Sequence, residues 1–127
     1  MTEAEIIESI IHDIEFLGYS TVALPVDRPY TNGKKKVVIY PISSTPFELA
    51  HEMVHAKYGD SHRNTLCDIT SPQEKRANKE AIIYLWNLFE SEGGNFNYFS
   101  LFIDVTGCPY EKSYSIIRNI YEEQYAI

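Results

Sequence analysis

The sequence predicts an α+β fold: a small antiparallel strand pair or sheet packed on a helical core. Three observations carry that expectation. Helix-start signatures of the form Thr/Ser-x-x-Glu open three stretches, and apolar residues recur at helical spacing near both ends of the chain and in its middle. Between the first two signatures lie two short runs of β-branched and aromatic residues separated by turn formers. The chain has 127 residues, 44% hydrophobic and 23% charged, the size and balance of one globular domain. The expected division is a motif core over about residues 1–90 and a helical extension over 95–127, with no linker or internal repeat between them.

The elements follow in order. Thr2 and Glu5 have capping-box spacing, and Ile6, Ile7, Ile10, Ile11, Ile14 and Leu17 then give one apolar face up to Gly18. His12 lies beside that face and reads as a surface or boundary residue. Tyr19 to Val26 reads as a strand, Asp27 to Gly33 as a loop of turn formers, and Val37 to Tyr40 as a second strand stopped by Pro41. The two strands are expected to pair antiparallel, one of them at the edge of a cleft where an extended peptide could add. Thr45, Pro46 and Glu48 start a helix that Gly59-Asp60 ends. Ser71-Pro72-Gln73-Glu74 starts another, apolar around much of its circumference after Ala81 and expected to be the most buried. Residues 60–70 read as a polar loop, 95–105 as a short helix on the core, and Pro109-Tyr110-Glu111 as the opening of a last helix striped by Tyr114, Ile117, Ile120 and Tyr121.

Charge and composition exclude several function classes. A formal net charge of -7 makes direct binding to nucleic acid or an anionic membrane surface unfavourable. The run Lys34-Lys35-Lys36 follows Asn32-Gly33 and reads as a solvated turn tip. Cys67 and Cys108 form no CxxC and no disulfide framework; each reads as a small buried residue, with Cys67 a soft competitor for metal. Neither a signal peptide nor a membrane span is read, so a cytoplasmic location is expected.

Chemistry concentrates at His51-Glu52-Met53-Val54-His55. On a helix beginning near Thr45, positions four apart share a face, so the two imidazoles can hold one metal ion. Glu52 lies beside that face and can act as a general base on a water at the metal. This is the pattern of a zincin-like active-site helix. A catalytic zinc needs a third protein ligand; the downstream candidates are His62, Cys67, Asp68, Glu74 and Glu80. Glu74 is preferred because it begins a helix that must pack near the first, although a carboxylate three residues after Ser71 is also expected for capping alone. Asn78, one turn after Glu74, could accept from the far nitrogen of a ligand histidine. Tyr58, seven residues after His51, is a candidate oxyanion donor or rim residue, and His62 a candidate at the mouth of the site.

The run Phe47-Glu48-Leu49-Ala50-His51-Glu52-Met53-Val54-His55, followed by Glu74-Lys75-Arg76-Ala77-Asn78, resembles the ImmA/IrrE-type zinc peptidases over about residues 1–90. The resemblance implies zinc held by His51, His55 and Glu74, with Glu52 as the base. It implies an endopeptidase acting on a cytoplasmic protein, with a transcriptional repressor of a phage or mobile element as the family-based substrate. The alternative is a non-catalytic protein-binding regulator, an antirepressor, on the same scaffold. The chain departs from the pattern at Gly59, where relatives often carry a further histidine, and at Arg76, where they usually carry an acid. It departs again at Glu80-Ala81, where Phe-Ala is common, and in lacking Leu-Met-Pro after that helix.

Overall fold

The computed structural model describes residues 2–60 and 71–125. The fold is α+β; the described residues form five α-helices and a three-stranded mixed sheet packed against them. The elements are α1 (Glu3–Phe16), β1 (Ser20–Ala23), β2 (Tyr30–Asn32), β3 (Val37–Tyr40), α2 (Pro46–Lys57), α3 (Pro72–Ser91), α4 (Phe99–Thr106) and α5 (Tyr110–Tyr125). A 3₁₀ turn, Phe96–Tyr98, leads into α4. Among the described residues, no helix is long and apolar enough to cross a membrane.

Local chemistry sets the helix starts. Thr2 accepts from the Glu5 N–H while Glu5 Oε1 accepts from the Thr2 N–H, at 3.2 and 3.0 Å. Thr45 and Glu48 repeat that reciprocal pair at 3.1 and 2.9 Å. Each box satisfies two N–H groups that the helix itself cannot pair. In α1 the buried residues are Ile6, Ile10 and Ile14, the expected face, and His12 is exposed.

The sheet differs from the expected antiparallel pair. Its order is β1-β3-β2, with β1 parallel to β3 (Ser20 beside Val37) and β2 antiparallel to it (Thr31 beside Val38). The stretch read as pure loop thus contains a strand, and the hairpin is β2–β3. Its turn is built by Asn32, whose Oδ1 accepts from the Lys34 and Lys35 N–H groups at 3.1 and 3.0 Å. Because that turn places β2 on one side of β3, the chain leaving β1 steps across the end of β3. It then returns down the other side, which makes β1 and β3 parallel. Lys34, Lys35 and Lys36 are exposed at the tip, as expected.

The core lies around α2, which touches α1, β2, β3, α3 and α4. This corrects the expectation that α3 is the most buried helix. Pro46, Leu49, Ala50, Glu52, Met53, Val54, His55 and Ala56 are buried in the 12 residues of α2. In the 20 residues of α3 only Glu74, Ala77, Ala81, Ile82, Leu85 and Trp86 are. The apolar side of α3 meets the extension: Trp86 packs edge-on to Phe102 at a centroid distance of 4.9 Å, with Phe89, Phe96 and Phe99 around it. Between α4 and α5, Gly107 (φ +74) lies against Thr45, the residue that caps α2. The extension therefore buttresses the start of the central helix.

Candidate metal centre

His51, Glu52 and His55 form a buried group on the second and third turns of α2 that can hold a metal ion. The His51 side chain is 12% exposed and that of His55 is 1% exposed, so the pair opens to solvent on the His51 side. The rings meet edge to face, centroids 4.7 Å apart, with the two Nε2 atoms 3.1 Å from each other. Nitrogens bound to one tetrahedral zinc stand about 3.3 Å apart, since each Zn–N bond is about 2.0–2.1 Å.

α3 brings Glu74 to the same point. Its Oε2 is 3.1 Å from His51 Nε2 and its Oε1 is 2.8 Å from His55 Nε2. Ser71 still accepts from the Glu74 N–H at 3.1 Å, so Glu74 is the third residue of the capped turn. Glu5 and Glu48, at the same helix position, spend their carboxylates on closing a capping box. Glu74 instead turns its carboxylate to the histidines.

The far nitrogens are also held. His51 Nδ1 is 2.8 Å from Asn78 Oδ1, and His55 Nδ1 is 3.1 Å from Asp60 Oδ2. A ring proton on Nδ1 would satisfy those acceptors and leave Nε2 as the atom that binds a metal. Both nitrogens of each ring thus face oxygen atoms. The two Nε2 atoms and the Glu74 carboxylate lie close enough together to share one cation. Burial is the main cause holding the His51 imidazole below its ordinary pKa; the neighbouring Glu52 and Glu74 charges oppose it, and His55 adds to it. The neutral, ligating form is therefore favoured. The donor set, two imidazoles and one carboxylate, is one that can bind a divalent metal ion.

Glu52 is 2% exposed. Thr31, buried on β2, donates to Glu52 Oε1 at 2.8 Å and lies 3.1 Å from the Glu52 carbonyl oxygen. The other carboxylate oxygen, Oε2, lies 4.0 Å from His51 Nε2. One oxygen is thus anchored to the sheet and the other is turned toward the histidines.

Two contributors were missed in the sequence. Thr31 lay inside a stretch read as loop. Asp60 was read only as part of a helix stop, yet that stop is what delivers it: Gly59 (φ +70) closes a Schellman turn, with Asp60 N–H to His55 O at 2.8 Å and Gly59 N–H to Ala56 O at 3.2 Å. A carboxylate just beyond such a glycine was the available signal. Tyr58 caps α2, is 44% exposed, and donates its hydroxyl to Glu80 Oε2 at 2.5 Å. Glu80 also meets Lys57 Nζ at 3.3 Å, so it is engaged with the end of α2. His62, Cys67 and Asp68 lie outside the described residues. Cys108 is buried, as expected.

Comparison with protein-family models, with curated proteins and with solved structures gives no significant match.

Proposed function

We propose that the chain is a zinc-dependent endopeptidase of the ImmA/IrrE type, acting on a cytoplasmic protein. The observation that carries this reading is the convergence of His51 Nε2, His55 Nε2 and the Glu74 carboxylate within 3.1 Å, beside a buried glutamate in the HExxH position. His51, His55 and Glu74 would hold the ion, and Asn78 would fix the tautomer of His51. Bound zinc would supply a water of lowered pKa and polarise the scissile carbonyl. Glu52, its Oε1 fixed by Thr31, would take the water proton on Oε2 and pass it to the leaving amine. The substrate we propose on the motif resemblance is a transcriptional repressor of a phage or mobile element.

The test uses Glu52→Gln. This variant keeps all three proposed ligands, so it should retain metal while losing cleavage of a protein captured by the same variant. Cleavage by Glu52→Gln at the wild-type rate would remove Glu52 as the base. Biological activity that survives the loss of cleavage would favour the antirepressor reading, in which the protein works by contact.

A further inference from the structure

We propose that Arg76 is a positioning residue for the metal centre, acting through Asp60 on the ring of His55. The inference rests on the zinc reading above. Asp60 Oδ2 is shared: His55 Nδ1 lies 3.1 Å from it and Arg76 Nη2 2.5 Å. Asp60 is 9% exposed and His55 1%, so the carboxylate is taken out of water and its charge needs a partner close at hand. Arg76, one turn ahead of Glu80 on α3, supplies that partner from across the helix pair.

Arg76 is itself gripped. Its guanidinium lies 3.9 Å from the centre of the Tyr58 ring. Tyr58 is tied to Glu80 by its hydroxyl, and Glu80 to Lys57. The end of α2 and the second turn of α3 are thus clamped through Arg76. The consequence reaches the metal through one hydrogen bond. Arg76 holds the Asp60 carboxylate in one rotamer, Asp60 in turn holds His55 through Nδ1, and Nε2 stays aimed at the site.

Positioning and plain electrostatics predict opposite signs. Removing a positive charge near a cation site should strengthen zinc binding if Arg76 acts only by its field. Removing a clamp should weaken it. The experiment measures zinc affinity of the full chain by chelator competition, with Zn²⁺ alone as the probe. Apo-protein melting temperature is measured alongside to show that each variant folds. Asp60→Asn should weaken zinc about 10–100-fold, the usual cost of losing an outer partner of a ligand histidine. Arg76→Met should weaken it by about tenfold or more. The double variant should be no weaker than Asp60→Asn within about threefold, because Arg76 acts through Asp60. Should Arg76→Met fail to fold, Arg76→Lys decides: it keeps the charge but loses the fork and the stack on Tyr58, and should still weaken zinc about threefold. Wild-type affinity or tighter binding in the Arg76 variant, or single losses that multiply in the double, would overturn the proposal. A wild-type protein that binds no zinc would overturn the zinc reading itself, a result distinct from either.

Discussion

Replacing Thr31 by valine removes one hydroxyl and nearly nothing else. The residue is 1% exposed, and its Oγ1 donates to Glu52 Oε1 at 2.8 Å. A hydrogen bond to a charged group contributes about 1.5–3 kcal/mol, and its loss here leaves a buried carboxylate oxygen short of a donor. Thr31→Val should therefore destabilise the metal-free protein by about 2 kcal/mol, a fall in melting temperature of roughly 6–10 °C for a chain of this size. Thr31→Ser keeps the donor and should recover most of the loss. Urea unfolding of the apo protein gives the free energy directly and avoids the stabilisation that bound metal would add. Combining Thr31→Val with Glu52→Ala closes a double-mutant cycle. Without the carboxylate the valine should cost little, a coupling of about 1.5 kcal/mol or more. Thr31→Val within about 0.5 kcal/mol of wild type, or additive single losses, would refute the claim that the sheet holds Glu52 through this hydroxyl.

Gly107→Ala tests whether the C-terminal extension supports the central helix. A Cβ there would meet Thr45 Cβ at 2.9 Å, on a backbone with φ +74. The variant should lose about 1–2 kcal/mol in urea unfolding, and wild-type stability would show that the contact relaxes freely. Cys108 gives a pH prediction. Burial raises its thiol from the ordinary 9.0 to about 11, so its contribution is intact below pH 9 and is lost as the unfolded thiol ionises between pH 9 and 11. The stability advantage of wild type over Cys108→Ala should shrink by about 2 kcal/mol across that window. A constant gap would mean that the folded thiol ionises as readily as the unfolded one.

Much of the fold was legible because local signals agreed with one another. Thr2/Glu5 and Thr45/Glu48 close the capping boxes their spacing promised, and the α1 face of Ile6, Ile10 and Ile14 is the buried one. What escaped was set by tertiary contacts. Tyr30–Asn32 forms a strand amid turn formers because Thr31 is buried against Glu52, and no propensity encodes that partner. α3 looked more apolar than α2, but the buried residues of α2 include Glu52 and His55, which a hydropathy reading counts against burial. The His51–His55 pair was readable from spacing, and Glu74 from the helix it begins and from the motif resemblance; Asp60 was not, since its position depends on the fold-back at Gly59. Two places where the chain departs from the ImmA/IrrE-type pattern, Gly59 and Arg76, belong to one local structure here. The glycine turn delivers Asp60, and Arg76 meets it.

The measurement closest to the central claim is the metal content of the purified chain, by elemental analysis after zinc loading and removal of excess. Wild type should carry about one equivalent of zinc, and the His51→Ala and Glu74→Ala variants well below that at the same free zinc concentration. Less than about half an equivalent in folded wild-type protein, or full occupancy in both variants, would contradict the account.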